Sequence, residues 1–138
     1  MRAVLALMML IGLAWPAAAQ DDAAPWQATI TGQIEAFRAQ DGAAALGFAG
    51  AGFRTQFDGA PEAFYAAVMA SGYGPIVQSR SHSFGKSSQL SDTVVAQVVR
   101  LVGPKQSLYE ALYQLENEPD VGWRVLGVVL RKDSGVAI

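Results

Sequence analysis

The sequence predicts a single α+β domain in which about three N-terminal helices pack on a curved antiparallel sheet of about four strands. Apolar residues recur at helical spacing in the first half of the chain, and valine-rich extended runs separated by turn residues fill the second half. The chain has 138 residues, 51% of them hydrophobic and 16% charged, which suits one compact core and argues against a disordered chain.

The N-terminus has the pattern of an export signal. Arg2 precedes an apolar run at residues 3–13, and the small residues 17–19 fit the pocket of a signal peptidase. We expect cleavage between Ala19 and Gln20 and a periplasmic or secreted protein without a stable membrane anchor. A retained anchor is disfavoured because the segment is shorter than the ~20 apolar residues that span a bilayer.

The rest of the chain divides into three parts. We expect a polar lead at residues 20–25, the α+β domain at residues 26–132 and a C-terminal tail at residues 133–138. Ten basic and twelve acidic residues give a net charge of -2, which argues against binding to a nucleic-acid backbone. Cysteine is absent from the sequence, which excludes disulfides, a thiol nucleophile and cysteine-ligated metals.

The predicted helices come first. One helical face is indicated by apolar residues at spacings of four, four and three, namely Trp26, Ile30, Ile34 and Phe37. Small residues at 43–49 indicate a second, short helix that ends at a glycine-rich break. Pro61 suits the first position of a third helix, which ends at the glycines and proline of residues 71–75.

The predicted strands follow. Residues 93–102 and 107–116 should form a hairpin around the turn at 103–106, and residues 123–132 form the last strand. A serine-rich run at residues 76–86 suits an edge strand. Because side chains alternate along a strand, Tyr109 and Tyr113 share one face, which we expect to be the inner face, and Glu110 lies on the other.

The last strand is apolar on both faces, especially over residues 125–130. The few predicted helices can cover only one face of the sheet. The helices therefore leave the second face uncovered, and we expect it to bind a second copy of the chain in a homodimer. The alternative is that the curved sheet and its loops shield that face.

Several local strings carry a family resemblance. They are QIEAFRAQD at residues 33–41 followed by Ala44 and Ala45, the segment 53–57, ALYQLE at residues 111–116 and GWRVLGVVL at residues 122–130. Through them the chain resembles an uncharacterised exported bacterial family, domain of unknown function 4864, over roughly residues 26–132. The order of helices before a bent antiparallel sheet also resembles the cystatin-like cone of nuclear transport factor two, SnoaL-like cyclases and ketosteroid isomerase. The resemblance implies that cone, but it supplies no activity or catalytic residue.

Four residues are candidate ligand contacts: Tyr109, Tyr113, His82 and Trp123. The tyrosine hydroxyls could line a cavity between the sheet and the helices, or they could be core groups that bind polar partners. His82, the single histidine, could act as an acid, a base or an anion contact, or it could be an ordinary edge-strand residue. The sequence predicts no catalytic triad, metal site, phosphate-binding loop or cofactor.

Three carboxylates, Glu116, Glu118 and Asp120, cluster near the last turn. Alternate carboxylates can ligate calcium when a loop wraps around the ion. Here the loop is short and contains Pro119, so a solvated turn is favoured.

Three functions remain open. The sequence favours a non-catalytic exported module that binds a small apolar ligand or serves as an accessory domain. One alternative is a homodimeric interaction module with a filled interior. The other is an isomerase- or cyclase-like enzyme, which needs a carboxylate or His82 buried against a tyrosine in the cavity.

Overall fold

The structure, a computed structural model, describes residues 23–133. Within them, five helices precede four strands: α1 Pro25–Arg38, α2 Gly42–Gly47, α3 Ala51–Gln56, α4 Pro61–Ala70, α5 Gly74–Val77, β1 Ser81–Gln89, β2 Val94–Val102, β3 Leu108–Glu118 and β4 Gly122–Lys132. The predicted α+β class is confirmed. The predicted signal peptide and its cleavage site, residues 20–22 of the polar lead and residues 134–138 of the tail lie outside the described residues.

Helix α1 forms as its apolar spacing predicts. Pro25 stands in the first turn, where its missing N–H breaks no helical hydrogen bond. Ile30 and Ile34 are fully buried against the sheet, and Phe37 is buried in a second cluster among the helices. Of the helices described in residues 23–133, none is long and apolar enough to cross a bilayer.

Helices α2 and α4 correspond to the other two predicted helices, whereas α3 and α5 are additional. Asp41 caps α2 by accepting a hydrogen bond from the Ala44 N–H at 3.0 Å. Helices α3 and α5 have six and four residues, too few for an apolar period to be read. Helix α5 also shifts the first strand, which was predicted from residue 76 but begins at Ser81. Pro75 fits the first turn of a helix, and Ile76 is buried within it.

The strands form one antiparallel sheet in the order β1-β2-β3-β4. The predicted hairpin of β2 and β3 is confirmed, with Val99 opposite Ala111. Strand β1 lies at an edge, as its serine content predicts, and a register shift between Phe84 and Ser87 interrupts its pairing with β2. The opposite edge is β4, although its sequence is apolar on both faces.

The helices cover the inner face of the sheet. Ala111, Tyr113 and Leu115 of β3 are all buried there, so the tyrosine face is the inner one, as predicted. Glu110 lies on the outer face, opposite Arg100 of β2. A second apolar cluster joins α1, α2 and α4 around Phe64.

Candidate functional site

A cavity of about 320 Å³ lies between the inner face of the sheet and helices α1, α3 and α4. Its walls are mainly aromatic and aliphatic, and the exposed residues Gln56 and Ser71 stand at its edge. This volume is at the lower end of the roughly 300–1,000 Å³ found for small-molecule sites. The cavity is therefore the candidate functional site.

The aromatic wall follows from residue spacing on short helices. Phe53 and Phe57 stand four apart, within and just after α3, and both meet Phe64 of α4 edge-on at ring distances of 6.1 and 5.5 Å. Phe37 of α1 stacks on Phe64 from the other side at 6.0 Å. Where α4 passes the cavity it presents the small side chain of Ala67. The cavity stays open because large aromatic rings surround Ala67, whose side chain is only a methyl group.

Tyr113 is the polar group on the sheet side of this cavity. Its side chain is 1% exposed and lines the cavity wall. Its hydroxyl makes no hydrogen bond with any of residues 23–133. Burial raises the pKa of Tyr113 well above its usual value, so the hydroxyl stays neutral and can both donate and accept a hydrogen bond.

Two other polar side chains on the wall already have partners. The Tyr73 hydroxyl donates to the Val128 carbonyl at 2.7 Å, and Gln33 Nε2 donates to the Ala45 carbonyl at 3.0 Å. No residue that lines the cavity carries a charge. Among these three groups, the Tyr113 hydroxyl is the one without a protein partner in residues 23–133.

The structure does not bring the four predicted contact residues together. Tyr113 lines the cavity, whereas Tyr109 and His82 line a separate pocket of about 270 Å³ where β3 begins. Tyr109 and Tyr113 share a face, as predicted, but four residues of strand separate them by about 13 Å. Trp123 is partly buried, packs against the main core and meets Trp26 edge-on at 5.2 Å.

His82 packs between β1 and α1. Its Nε2 lies 3.0 Å from Thr31 Oγ1, its ring meets Phe84 edge-on, and its buried Nδ1 has no hydrogen-bond partner in residues 23–133. Burial and the neighbouring Arg38 lower the pKa of His82, while Glu35 opposes that shift. The ring is therefore mostly neutral at pH 7, which suits a packing role better than an anion contact.

Glu118 fixes the helix that forms one wall of the cavity. Its Oε2 accepts the Ala51 N–H at the start of α3, and its Oε1 pairs with Arg54 of the same helix, both at 2.9 Å. Partial burial would raise the pKa of Glu118, but these bonds and the charges of Arg54 and Arg124 lower it overall. Glu118 is thus a structural anchor, and no group of three metal-ligating side chains occurs in the part of the chain described.

Replacing Glu118 with Gln should lower the free energy of unfolding by about 1 kcal/mol at pH 7, because α3 loses its charged cap and ion pair. The pKa of Glu118 in the folded chain lies below its ordinary value of 4.5. The wild type is therefore more stable than the variant by the full amount above pH 4.5, and this difference in the free energy of unfolding disappears as the pH falls through the folded pKa. Urea unfolding between pH 3 and pH 7 measures it, with Asp120→Asn in the adjacent turn as control. A difference that stays the same from pH 7 to pH 3 would contradict this account.

Sequence reasoning missed most of the cavity wall. Phe53, Phe57 and Val68 were visible as apolar residues, but their convergence on Tyr113 depends on the short helix α3. The spacing of Phe53 and Phe57 was the available signal. It could have suggested a helix there, but not the open volume beside it.

Comparison with known proteins identifies the family. A model of the family described as Domain of unknown function (DUF4864) matches residues 19–138. A search of curated proteins gave no significant match. The resemblance seen in the local strings is thereby confirmed, while the likeness to the cystatin-like cone stays a prediction. The chain belongs to the DUF4864 family.

Proposed function

We propose that this chain is a small, exported, non-catalytic domain that binds one neutral, mainly apolar molecule in the aromatic cavity. The observation that carries the proposal is the Tyr113 hydroxyl, which belongs to a buried residue on the cavity wall and has no hydrogen-bond partner in residues 23–133. The hydroxyl therefore has hydrogen-bonding capacity that no residue in 23–133 uses. A ligand oxygen or nitrogen placed beside it would gain one hydrogen bond.

The wall chemistry defines the class of ligand. Because no lining residue is charged, a carboxylate or an amine would lose its hydration without gaining an ion pair. The rings of Phe37, Phe53, Phe57 and Phe64 favour a flat apolar body. We therefore propose a one- or two-ring compound, or a short-chain one, with a single ketone or hydroxyl group that meets Tyr113.

We prefer a binding function to a catalytic one because of the residues that line the cavity. An isomerase- or cyclase-like reaction requires a carboxylate or histidine beside the tyrosine to move a proton. The residues that line the cavity include no Asp, Glu or His. His82 lines the other pocket.

The cellular setting and the cone are part of the proposal. The signal pattern at residues 1–19 supports export to the periplasm or beyond. The order of helices before one open antiparallel sheet supports a cystatin-like cone, with the cavity between the two layers.

The test uses three two-ring probes of similar size: 1-tetralone, tetralin and tetrahydro-2-naphthoate. We expect the wild-type chain to bind the ketone roughly two- to tenfold more tightly than the hydrocarbon, because one hydrogen bond contributes about 0.5–1.5 kcal/mol. The carboxylate should bind most weakly. Tyr113→Phe should remove the preference for the ketone and leave hydrocarbon binding unchanged. Protein-observed NMR titration gives all the dissociation constants.

Tyr109→Phe is the matched control, since that tyrosine shares the strand face but not the cavity. It should bind all three probes as the wild type does. The proposal is wrong if no probe binds, if Tyr113→Phe keeps the preference for the ketone, or if Tyr109→Phe removes it.

A further inference from the structure

On the outer face of the sheet, a row of apolar residues runs across three neighbouring strands, β2, β3 and β4. Val98 lies opposite Leu112, and Leu112 lies opposite Val129. Leu112 and Val129 are 40% and 67% exposed, and Leu108 near the end of the sheet is 44% exposed. A contiguous exposed apolar patch of this kind is typical of a surface that binds another protein.

A row of charged residues runs beside the apolar row. Arg100 of β2, Glu110 of β3 and Arg131 of β4 lie opposite one another. Glu110 pairs with Arg131. Within residues 23–133, Arg100 has no ion-pair partner. The face therefore presents a cation without an ion-pair partner in residues 23–133, on the strand next to that of Glu110.

This pattern is complementary to itself. If a second copy is turned by 180° about an axis that runs along the strands between β2 and β3, β2 of each copy faces β3 of the other. Arg100 then faces Glu110 of the second copy, and Val98 faces its Leu112. An axis along β3 would instead oppose two Glu110 carboxylates. The charges thus select one arrangement.

The available area is sufficient for a dimer. Four strands about 4.8 Å apart, with about nine residues each at about 3.3 Å, give a face of roughly 600 Å² per copy. Two such faces bury roughly 1,200 Å², which is the lower limit for specific, stable interfaces.

We propose that the outer face of the sheet is a homodimer interface with its two-fold axis between β2 and β3. The occupant is a second copy of this chain, because Arg100 would meet Glu110 of the same face turned over. This inference is independent of the ligand proposed for the cavity, which lies on the opposite side of the sheet.

The test exchanges charges between copies of the full chain. Arg100→Glu alone would oppose two carboxylates at each contact, and Glu110→Arg alone would oppose two guanidinium groups. Each variant should therefore dimerise at least tenfold more weakly than the wild type. Mixing the two variants should give a heterodimer, in which both contacts join opposite charges. Native mass spectrometry separates the species by mass, and sedimentation equilibrium gives the dissociation constants.

The mixing step distinguishes contacts between copies from contacts within one copy, because a change in one sheet alone cannot create a heterodimer. Leu112→Glu should also abolish the dimer, whereas Leu90→Glu, in the exposed turn after β1, should not. Circular dichroism checks that each variant folds.

A wild-type chain that stays monomeric at 100 µM overturns the proposal, whether another segment of the chain or a different protein covers the face. Dimers of both single variants at wild-type strength also overturn it. If both variants are monomeric and their mixture gives no heterodimer, the proposed axis is wrong.

Discussion

Replacing Gln97 with Met should lower the free energy of unfolding by about 3–5 kcal/mol, a large part of the 5–15 kcal/mol that is typical of a domain. Gln97 is 0% exposed on the inner face of β2. Its Oε1 accepts the Trp26 Nε1–H at 2.7 Å, and its Nε2 donates to the carbonyls of Gly85 and Val98, each at 2.9 Å. Methionine has nearly the same shape but leaves these groups without a partner.

The cost is large because Gln97 joins three parts of the fold. It holds the start of α1 through Trp26, and it donates to the Gly85 carbonyl within the register shift in β1. Trp26→Phe should cost less, since Gln27 Nε2 lies 3.3 Å from the same Oε1 and still donates to it. The ranking of the two variants tests whether the buried amide is the critical group.

Urea unfolding followed by tryptophan fluorescence measures the effect. Gln114→Met, on the exposed face of the adjacent strand, is the matched control and should change stability by less than about 0.5 kcal/mol. If Gln97→Met unfolds at the wild-type urea concentration, the amide network contributes little, and the packing of α1 alone holds that end of the sheet.

The sequence predicted those elements in which a periodic pattern is long enough to be read. The spacing from Trp26 to Phe37 spans three turns and located α1. The valine-rich runs located β2 and β4, and the alternation around Tyr113 identified the inner face of β3. In each case a single physical rule, burial of one face, acts over many residues.

Elements that depend on distant contacts could not be predicted in the same way. Helix α3 buries no residue and is held by Glu118, which lies 64 residues from Arg54 in the sequence. Gln97 lies in a run of valines, and nothing local shows that Trp26 will reach it. Such pairs form only after the layers have packed.

The candidate site was predicted in part for the same reason. Tyr109 and Tyr113 are equivalent by alternation, yet α3 and α4 enclose space beside Tyr113 alone. The positions of His82 and Trp123, the other two candidate contacts, are set by α1, through Thr31 and Trp26. Residue type suggested polar contacts, but helix placement determined which of them lines the cavity.

The largest expected effect on binding comes from filling the cavity. Ala67→Phe should weaken 1-tetralone binding by about 30-fold or more, because the new ring would occupy space that about seven ligand atoms use, each contributing about 0.3 kcal/mol. Ala67 lies on the α4 wall between Phe64 and Val68. Filling existing space adds apolar contacts, so the variant should be at least as stable as the wild type.

Ala66→Phe is the matched control, since it has the same helix propensity cost at an exposed position on the same helix, one residue away from the cavity. It should bind 1-tetralone as the wild type does. Together with Tyr113→Phe, the pair separates two parts of the site, because Ala67→Phe removes the space for every probe, whereas Tyr113→Phe removes only the preference for a ligand oxygen. Equal binding by the Ala66 and Ala67 variants would place the ligand elsewhere and would leave the Tyr113 hydroxyl as a buried group with no function in binding.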